Sequence, residues 1–296
     1  MRKKKGNYNF LGRYNHFVPG VPELVILTLL FLVGAVLGSI VSAVFSLATS
    51  PETALDYAML IAYPLMFIPP MIYAVSSSRR RSFNESGLKL DSNNFGRFGF
   101  VLCALMAAVA TLAAGMVTEP VTELLPPMPE WLETTMKSLT GGKLWVNLIC
   151  VSIFAPVFEE WLCRGMVMRG LLGRGTRPGW AIVISALFFA VIHLNPWQAI
   201  PAFVLGCLFG FVYWRTGSLK LTMLMHCVNN TFALVIGHIP SLENAESWKD
   251  IFQGPVYWVV FAACVILLVL VVKALLRIPL NGPKGNLDEV PALFSE

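Results

Sequence analysis

Three short patterns along one part of the chain bring together side chains that could do acid–base chemistry. They are a pair of glutamates followed by an arginine, a lone histidine, and a histidine followed by an asparagine: Glu159, Glu160, Arg164, His193, His226 and Asn230. A carboxylate beside an imidazole can bind a water molecule and take a proton from it. Imidazole and carboxamide donors can stabilise a developing oxyanion. The set therefore supplies the parts of a hydrolase: a general base, a positioned water and an oxyanion hole.

The spacing within the first pattern separates its two glutamates. On a helix, Glu160 and Arg164 are four residues apart and share a face, whereas Glu159 is turned about 100° away. Glu160 and Arg164 can thus form a structural ion pair that leaves Glu159 without a partner. Residues 144–157, which precede the pair, are almost wholly apolar. An ionisable group at membrane depth is costly and indicates a functional site by default.

The two histidine patterns also use helical spacing. His193 follows Phe189 by four residues, and His226 precedes Asn230 by four, so each pair shares a face if its segment is helical. A single buried histidine is more often a core residue than a catalyst. Two of them together with a glutamate pair, on three separate apolar segments, favour a catalytic function.

The composition identifies the class of protein that carries these residues. The chain has 296 residues, of which 56% are hydrophobic and 13% are charged, and its mean hydropathy is +0.68. Soluble domains carry about 25% charged residues, so a soluble protein is excluded. The six cysteines have no CxxC spacing, which argues against a zinc knuckle or a disulfide framework. The net charge of +5 fits basic loops beside anionic lipid and requires no nucleic acid.

Apolar windows long enough to span a bilayer predict the fold. They lie near residues 24–48, 56–76, 97–117, 144–163, 179–195, 197–215, 219–238 and 255–277. We therefore predict an all-α, polytopic membrane helix bundle of about eight transmembrane helices. In this organisation residues 1–23 form a basic cytoplasmic lead, 24–278 the transmembrane domain with a catalytic core at about 144–238, and 279–296 a cytoplasmic tail.

The charges of the loops predict the orientation of the bundle. With alternate loops on opposite sides, 19 of the 22 lysines and arginines lie on one side, and only Lys137, Lys143 and Lys249 lie on the other. The positive-inside rule then places both termini in the cytoplasm. The outer loops at 118–143 and 239–254 are acidic, and a surface helix is predicted from about Glu130 to Leu139. We expect an integral, multi-pass protein of a bacterial plasma membrane.

The three patterns, in this order on successive spans, resemble those of the CPBP intramembrane proteases. That family groups type II CAAX prenyl endopeptidases with bacterial bacteriocin-processing and immunity proteins, the Abi group. The resemblance covers about residues 144–238. It implies that Glu159 activates the water with His193 as its partner, and that His226 and Asn230 stabilise the oxyanion. Glu160, Arg164 and Phe189 would support the site, and a hydrophobic or lipidated peptide in contact with membrane lipids would be the substrate.

Other functions remain open at this stage. Glu159, His193 and His226 could instead hold a zinc ion with water in the fourth position. If His226 and Asn230 form the oxyanion hole, however, too few ligands remain, so we favour a protease without a metal cofactor. Buried Glu and His residues also build proton relays in transporters. A protease-like scaffold that binds a peptide without cutting it is the third alternative.

The predicted helix ends leave the convergence of the site unexplained. Counted at about 1.5 Å per residue from the cytoplasmic ends, Glu159 and His226 would lie only ~7–10 Å deep, but His193 would lie ~20 Å deep. They could meet only if the helix before His193 starts outside the membrane, tilts strongly or borders a cavity.

Overall fold

The computed structural model describes residues 10–83, 87–140, 142–239 and 247–280, and its regular elements there are all helical. In chain order the helices are α1 Val21–Ala48, α2 Pro51–Arg81, α3 Gly99–Thr122, α4 Glu130–Thr140, α5 Leu144–Gly173, α6 Pro178–Val191, α7 Pro196–Thr216, α8 Leu219–Ile236, α9 Trp248–Ile251 and α10 Pro255–Leu275. Short 3₁₀ turns lie at Leu11–Tyr14 and Gly96–Phe98. Most of the predicted lead and tail, residues 1–9 and 281–296, lie outside the described residues.

The prediction of an all-α polytopic membrane bundle is confirmed, and the chain is a multi-pass integral membrane protein. Among the described residues seven helices are long and apolar enough to cross a bilayer. Each of the eight predicted windows is helical, but α6, the fifth, has only 14 residues. At 1.5 Å per residue it is about 21 Å long, which is shorter than the ~30 Å hydrocarbon core of a bilayer. The predicted surface helix is present as α4.

Helix α5 is the centre of the bundle and contacts α2, α6, α7 and α8. In its most apolar window 56% of the residues are buried, against 11% in the peripheral α10. Two stretches of α5 are wound as π-helix, at Cys150–Phe154 and Trp161–Met168. Stretches of π-helix are rare in proteins, and those that occur are frequently found at functional sites. Here they flank the two glutamates.

Each π-helical stretch of α5 offers a carbonyl to a neighbouring helix. The carbonyl of Val151 accepts a hydrogen bond from the Asn230 side chain on α8 at 2.8 Å. The carbonyl of Cys163 accepts one from the Ser185 hydroxyl on α6 at 2.9 Å. The irregular winding therefore coincides with the contacts that fix α6 and α8 beside the glutamates.

Helices α1 and α2 pack closely through a small-residue stripe. A Cβ atom on Gly34 would lie 2.2 Å from the Met66 carbonyl oxygen, and one on Gly38 would lie 2.8 Å from that of Ala62. Small residues four apart allow such close approach between helices in a membrane. The same part of α2 contains Pro64, which cannot donate a backbone hydrogen bond. This packing sets the position of α2 beside α5.

The bundle has two chemically different ends. At one end, which we call the basic end, several segments are hydrogen-bonded to one another. For instance, Leu88 N donates to Asn15 O at 2.8 Å, and Asn94 Nδ2 donates to Pro279 O at 2.6 Å. The segments of the basic end are residues 10–20, 78–83, 87–99, 169–178, 215–220 and 275–280. At the other, the acidic end, residues 48–56, 118–140, 142–143, 192–198, 236–239 and 247–255 lie together. There the Lys143 ammonium lies 3.3 Å from Asp56, and Trp197 Nε1 donates to Pro126 O at 2.7 Å.

Two arginines assigned to an inner loop from the sequence lie inside the protein instead. Helix α5 continues to Gly173, ten residues beyond the predicted end of the span, so Arg164 and Arg169 are helical and fully buried. Arg169 donates to the carbonyls of Leu88, Tyr14 and Phe17 and thereby fixes the segment before α1 to the basic end. The remaining basic residues keep the predicted bias, and the cytoplasmic location of the termini stays a prediction.

Candidate active site

One cavity of about 740 Å³ lies against the middle of α5, and all four residues predicted to be catalytic line it. Glu159 comes from α5, His193 from the turn after α6, and His226 and Asn230 from α8. The volume is within the range of about 300–1,000 Å³ that is typical of ligand-binding pockets. The fold thus brings the three separate sequence patterns to one site.

Glu160 and Arg164 form the wall behind this cavity. Arg164 Nη1 donates to Glu160 Oε1 at 2.7 Å, as the four-residue spacing predicts, and both side chains are fully buried. Arg164 Nη2 also donates to the Gly206 carbonyl on α7 at 2.8 Å. The guanidinium lies 4.8 Å from the ring centre of Phe189 and 5.4 Å from that of Phe209. Hydrogen bonds and cation–π contacts therefore compensate for the burial of this charge.

The buried pair also reaches His226. Its Nδ1 lies 3.3 Å from Glu160 Oε1, and its ring packs edge-on against Phe189, with 5.4 Å between ring centres. Because an ionised carboxylate only accepts hydrogen bonds, Nδ1 carries the proton. The Nε2 atom of a neutral ring is then an acceptor, and only a protonated ring can donate from it. Glu160 thus fixes the orientation of the His226 ring.

Glu159 faces the cavity and has a partner that the sequence analysis missed. The Tyr63 hydroxyl on α2 donates a hydrogen bond to Glu159 Oε1, while Glu159 Oε2 has no hydrogen-bond partner in the described part of the chain. His193, the expected partner of Glu159 in activating the water, lines the same cavity and makes no direct hydrogen bond to Glu159 among the described contacts. Tyr63 lies on a span without a motif, so only a three-dimensional arrangement could reveal it.

His193 lies beyond the end of its helix, contrary to the prediction that it sits within the apolar span 179–195. Helix α6 ends at Val191, because Leu194 has a left-handed backbone (φ 52°) and Asn195 caps the next helix in an extended conformation before Pro196. His193 Nδ1 lies 2.7 Å from the Phe189 carbonyl oxygen. That oxygen only accepts, so Nδ1 carries the proton and Nε2 is left as the basic atom of the neutral ring.

Asn230 is held in one orientation by two hydrogen bonds. Its Nδ2 donates to Val151 O at 2.8 Å, and its Oδ1 accepts from Asn229 Nδ2 at 3.1 Å. A carboxamide nitrogen has two N–H groups, so one of them remains for a ligand. Asn229 therefore orients Asn230, which is a role that the sequence analysis did not assign to it.

The difference in depth expected from the sequence was wrong for Glu159. Because α5 spans Leu144–Gly173, Glu159 lies near its middle, about 20 Å from either end at 1.5 Å per residue. The short helix α6 brings His193 to a comparable level, and the cavity extends between them. The residues can converge because α5 continues ten residues beyond its apolar window, which places Glu159 about as far from the basic end as His193.

The arrangement does not fit the zinc site that was considered as an alternative. In the ranges that the structure describes, no group of three or more His, Cys, Asp and Glu side chains is placed to share a metal ion. We therefore derive no step through a metal.

A comparison with known protein families matches the part of the chain that carries this cavity. Residues 141–232 match the family described as type II CAAX prenyl endopeptidase Rce1-like. This part of the chain is therefore similar to the Rce1-like family, and we refer to it as the Rce1-like core. The resemblance to the CPBP proteases is thereby confirmed, and the Rce1-like core contains Glu159, His193, His226 and Asn230.

A curated relative extends the comparison. The chain is 28% identical over 89 residues to a protein of Bacillus subtilis (strain 168) named "Putative membrane peptidase YdiL". The aligned part is 30% of this chain and 36% of the relative, so the match spans about a third of the relative's length. No solved structure matches the chain. Helices α1, α2 and α10 lie outside the family match at residues 141–232.

Proposed function

We propose that this protein is an intramembrane endopeptidase that hydrolyses a peptide bond with a water molecule activated by Glu159. The observation that carries the proposal is the cavity lined together by Glu159, His193, His226 and Asn230. The match of its core to a family of endopeptidases supports the same reaction class. The substrate is a hydrophobic or lipidated peptide, because the cavity walls are mainly apolar and lie within the bilayer.

The base in this reaction is Glu159. Tyr63 holds Oε1, and Oε2, which is buried at the cavity wall and has no hydrogen-bond partner among the described residues, is the oxygen that we assign to take the proton from water. The water oxygen attacks the carbonyl carbon of the scissile bond, and the proton passes to Glu159 as the new C–O bond forms. His193 presents Nε2 to the same cavity and can accept a hydrogen bond from the water, which orients it for attack.

The attack converts the substrate carbonyl to an oxyanion, for which α8 supplies the donors. The second N–H of Asn230 is one, and Nε2–H of a protonated His226 is the other. Fixed donors at the site of developing charge usually provide the largest single contribution to such catalysis. When the C–N bond breaks, the proton held by Glu159 passes to the leaving amine, which restores the carboxylate.

The wall formed by Glu160 and Arg164 has a positioning role in this scheme. Since Glu160 accepts hydrogen bonds from both Arg164 and His226, it keeps the ring of His226 in place. Glu160 itself does not line the cavity. The two adjacent glutamates therefore have different roles in this scheme: Glu159 activates the water, and Glu160 positions the oxyanion donor His226.

The proposal can be tested without a known substrate. Membranes of cells that express wild-type protein are compared with membranes containing Glu159→Gln, and newly formed peptide termini are identified by mass spectrometry. We expect a set of termini that depends on Glu159. If both proteins insert to the same level and give the same termini, the proposed activity is refuted and the scaffold alternative takes its place.

A further inference from the structure

The cavity reaches only one end of the bundle. Besides the catalytic residues, its lining includes side chains from the connections at the acidic end: Leu132, Met136, Asn195, Trp197, Gln198 and His238. No residue of the basic-end segments lines it within the described ranges. A ligand therefore reaches Glu159 from the acidic end.

The residues around the cavity entrance also belong to the acidic end. Helix α4 contributes Leu132 and Met136, and Asn195 Nδ2 lies 3.8 Å from the Met136 sulfur. Trp197 Nε1 donates to the carbonyl of Pro126, which precedes α4. The entrance is thus formed by the surface helix and by the short connection between α6 and α7.

The charges of the two ends assign them to opposite sides of the membrane. Among the described residues the segments and helix ends on one side carry Arg13, Arg79, Arg80, Arg81, Lys89, Arg97, Arg174, Arg177, Lys220, Lys273 and Arg277, with Glu23 and Asp91 as their only acidic residues. The opposite end carries Glu52, Asp56, Glu119, Glu123, Glu130, Glu133 and Asp250, with Lys137, Lys143 and Lys249. Clusters of Lys and Arg beside membrane spans remain in the cytoplasm. The acidic end is then the outer end.

We propose that the cavity opens on the outer, non-cytoplasmic face, and that its substrate is an exported, membrane-anchored peptide segment that is apolar around the scissile bond. This inference rests on the proposed function and adds the side and class of the substrate. Glu159 lies about 20 Å from the ends of α5, so a folded domain cannot reach it. An extended terminal or juxtamembrane segment can enter and place apolar side chains against Met59, Leu132 and Leu205.

The side of access is tested first by thiol labelling, which needs no substrate. Ala233→Cys places a thiol in the cavity on α8, and Ser82→Cys places an isosteric one on the exposed end of α2 at the basic end. A membrane-impermeant maleimide should label position 233 in intact cells and position 82 only in inverted vesicles. Wild-type protein with its six cysteines sets the background. Leu132→Cys, on α4 at the cavity entrance, replaces Ala233→Cys if the Ala233→Cys protein does not accumulate in the membrane.

Labelling of the cavity thiol only in inverted vesicles would overturn the proposal. This outcome is independent of catalysis, so it separates a wrong orientation from a wrong enzyme. Labelling at position 82 in intact cells would contradict the assignment of the basic end to the cytoplasm.

The substrate class is tested with two matched reporter libraries. Each reporter has one membrane span, and a randomised apolar segment lies on its outer flank in one library and on its inner flank in the other. We expect wild-type protein to cut members of the outer library and Glu159→Gln to cut neither. Cleavage confined to the inner library would refute the inference but leave the proposed function intact. Equal cleavage by wild type and Glu159→Gln, or none by either, would refute the proposed function, while the labelling still decides the side.

Discussion

The two faces of α5 differ in how they treat neighbouring carboxylates. Behind the helix, Glu160 is fully buried and shares its bonded oxygen with Arg164 and His226. In front, Glu159 is half-buried in a cavity, and its one described hydrogen bond comes from Tyr63. Both carboxylates keep an Oε2 atom without a hydrogen-bond partner among the described residues, so the difference lies in their surroundings. Glu160 is enclosed beside a cation and an imidazole and contributes to structure, whereas Glu159 lines a cavity and can take a proton from a water there. Position relative to the wall, more than residue type, separates the two roles.

The largest expected effect is a loss of stability when the buried Glu160–Arg164 pair is broken. Arg164→Met leaves Glu160 in the interior without its cation, and breaking a buried pair in this way costs about 3–5 kcal/mol of stability. We expect a large loss of stability in a denaturant titration in detergent. The double variant Arg164→Met/Glu160→Gln removes both charges and should recover part of that loss. A single variant as stable as wild type would show that the wall does not depend on the ion pair.

The next effect concerns the oxyanion donor on the cavity side. Asn230→Ala removes the N–H proposed to bind the oxyanion, and such a loss typically lowers kcat by about 10²–10³. The matched change Asn229→Ala removes only the donor that orients Asn230 and should cost less. Rates of cleavage by the two purified variants distinguish these roles. Equal losses would indicate that Asn230 acts only through packing against α5.

A smaller effect is expected for the hydroxyl that holds Glu159. Tyr63→Phe keeps the ring but removes a hydrogen bond to a charged group, which is worth about 1.5–3 kcal/mol, or roughly 10- to 100-fold in rate if it acts in the transition state. We expect kcat to fall while KM and thermal stability stay close to those of wild type. Tyr57→Phe on the same helix removes the bond to Lys143 at the acidic end and is the control. A loss of the same size in Tyr57→Phe would mean that α2, and not the hydroxyl, is responsible.

The smallest effect comes from the packing that places Tyr63. Gly34→Ala puts a methyl group against the Met66 backbone, and overpacking of this kind costs about 1–3 kcal/mol. Gly115→Ala on α3 is the control, because its new Cβ would meet nothing within 4 Å. Thermal unfolding of both variants checks this prediction. Equal stability of the two would show that α1 can move away from α2 without cost.

Much of the fold could be predicted from apolar windows and loop charges, since bilayer thickness and the positive-inside rule constrain both. Those windows do not report where a helix ends when it continues into buried polar residues. Arg164 and Arg169 carry α5 beyond its window because Glu160 and several backbone carbonyls accept hydrogen bonds from their guanidinium groups. The end of α6 depends on local chemistry at Leu194 and Asn195, which hydropathy ignores.

The candidate site, like the fold, could be predicted from the sequence only in part. Four-residue spacing predicts the Glu160–Arg164 pair, because both residues belong to one helix. Tyr63 could not be found in this way, since its contact with Glu159 joins residues 96 positions apart. The bonds of His226 to Glu160 and of Asn230 to Val151 also join different helices, so only the packed structure shows which atoms remain for catalysis.

The central claim is that Glu159 is the base and Glu160 is not, and parallel measurement of turnover and unfolding on purified Glu159→Gln and Glu160→Gln tests it most directly. The substrate is a peptide whose cleavage depends on wild-type protein. We predict that Glu159→Gln unfolds at the wild-type temperature and has lost cleavage to near background, whereas Glu160→Gln is less stable because Arg164 stays charged and loses its partner. A folded Glu159→Gln that cleaves at the wild-type rate would contradict the account.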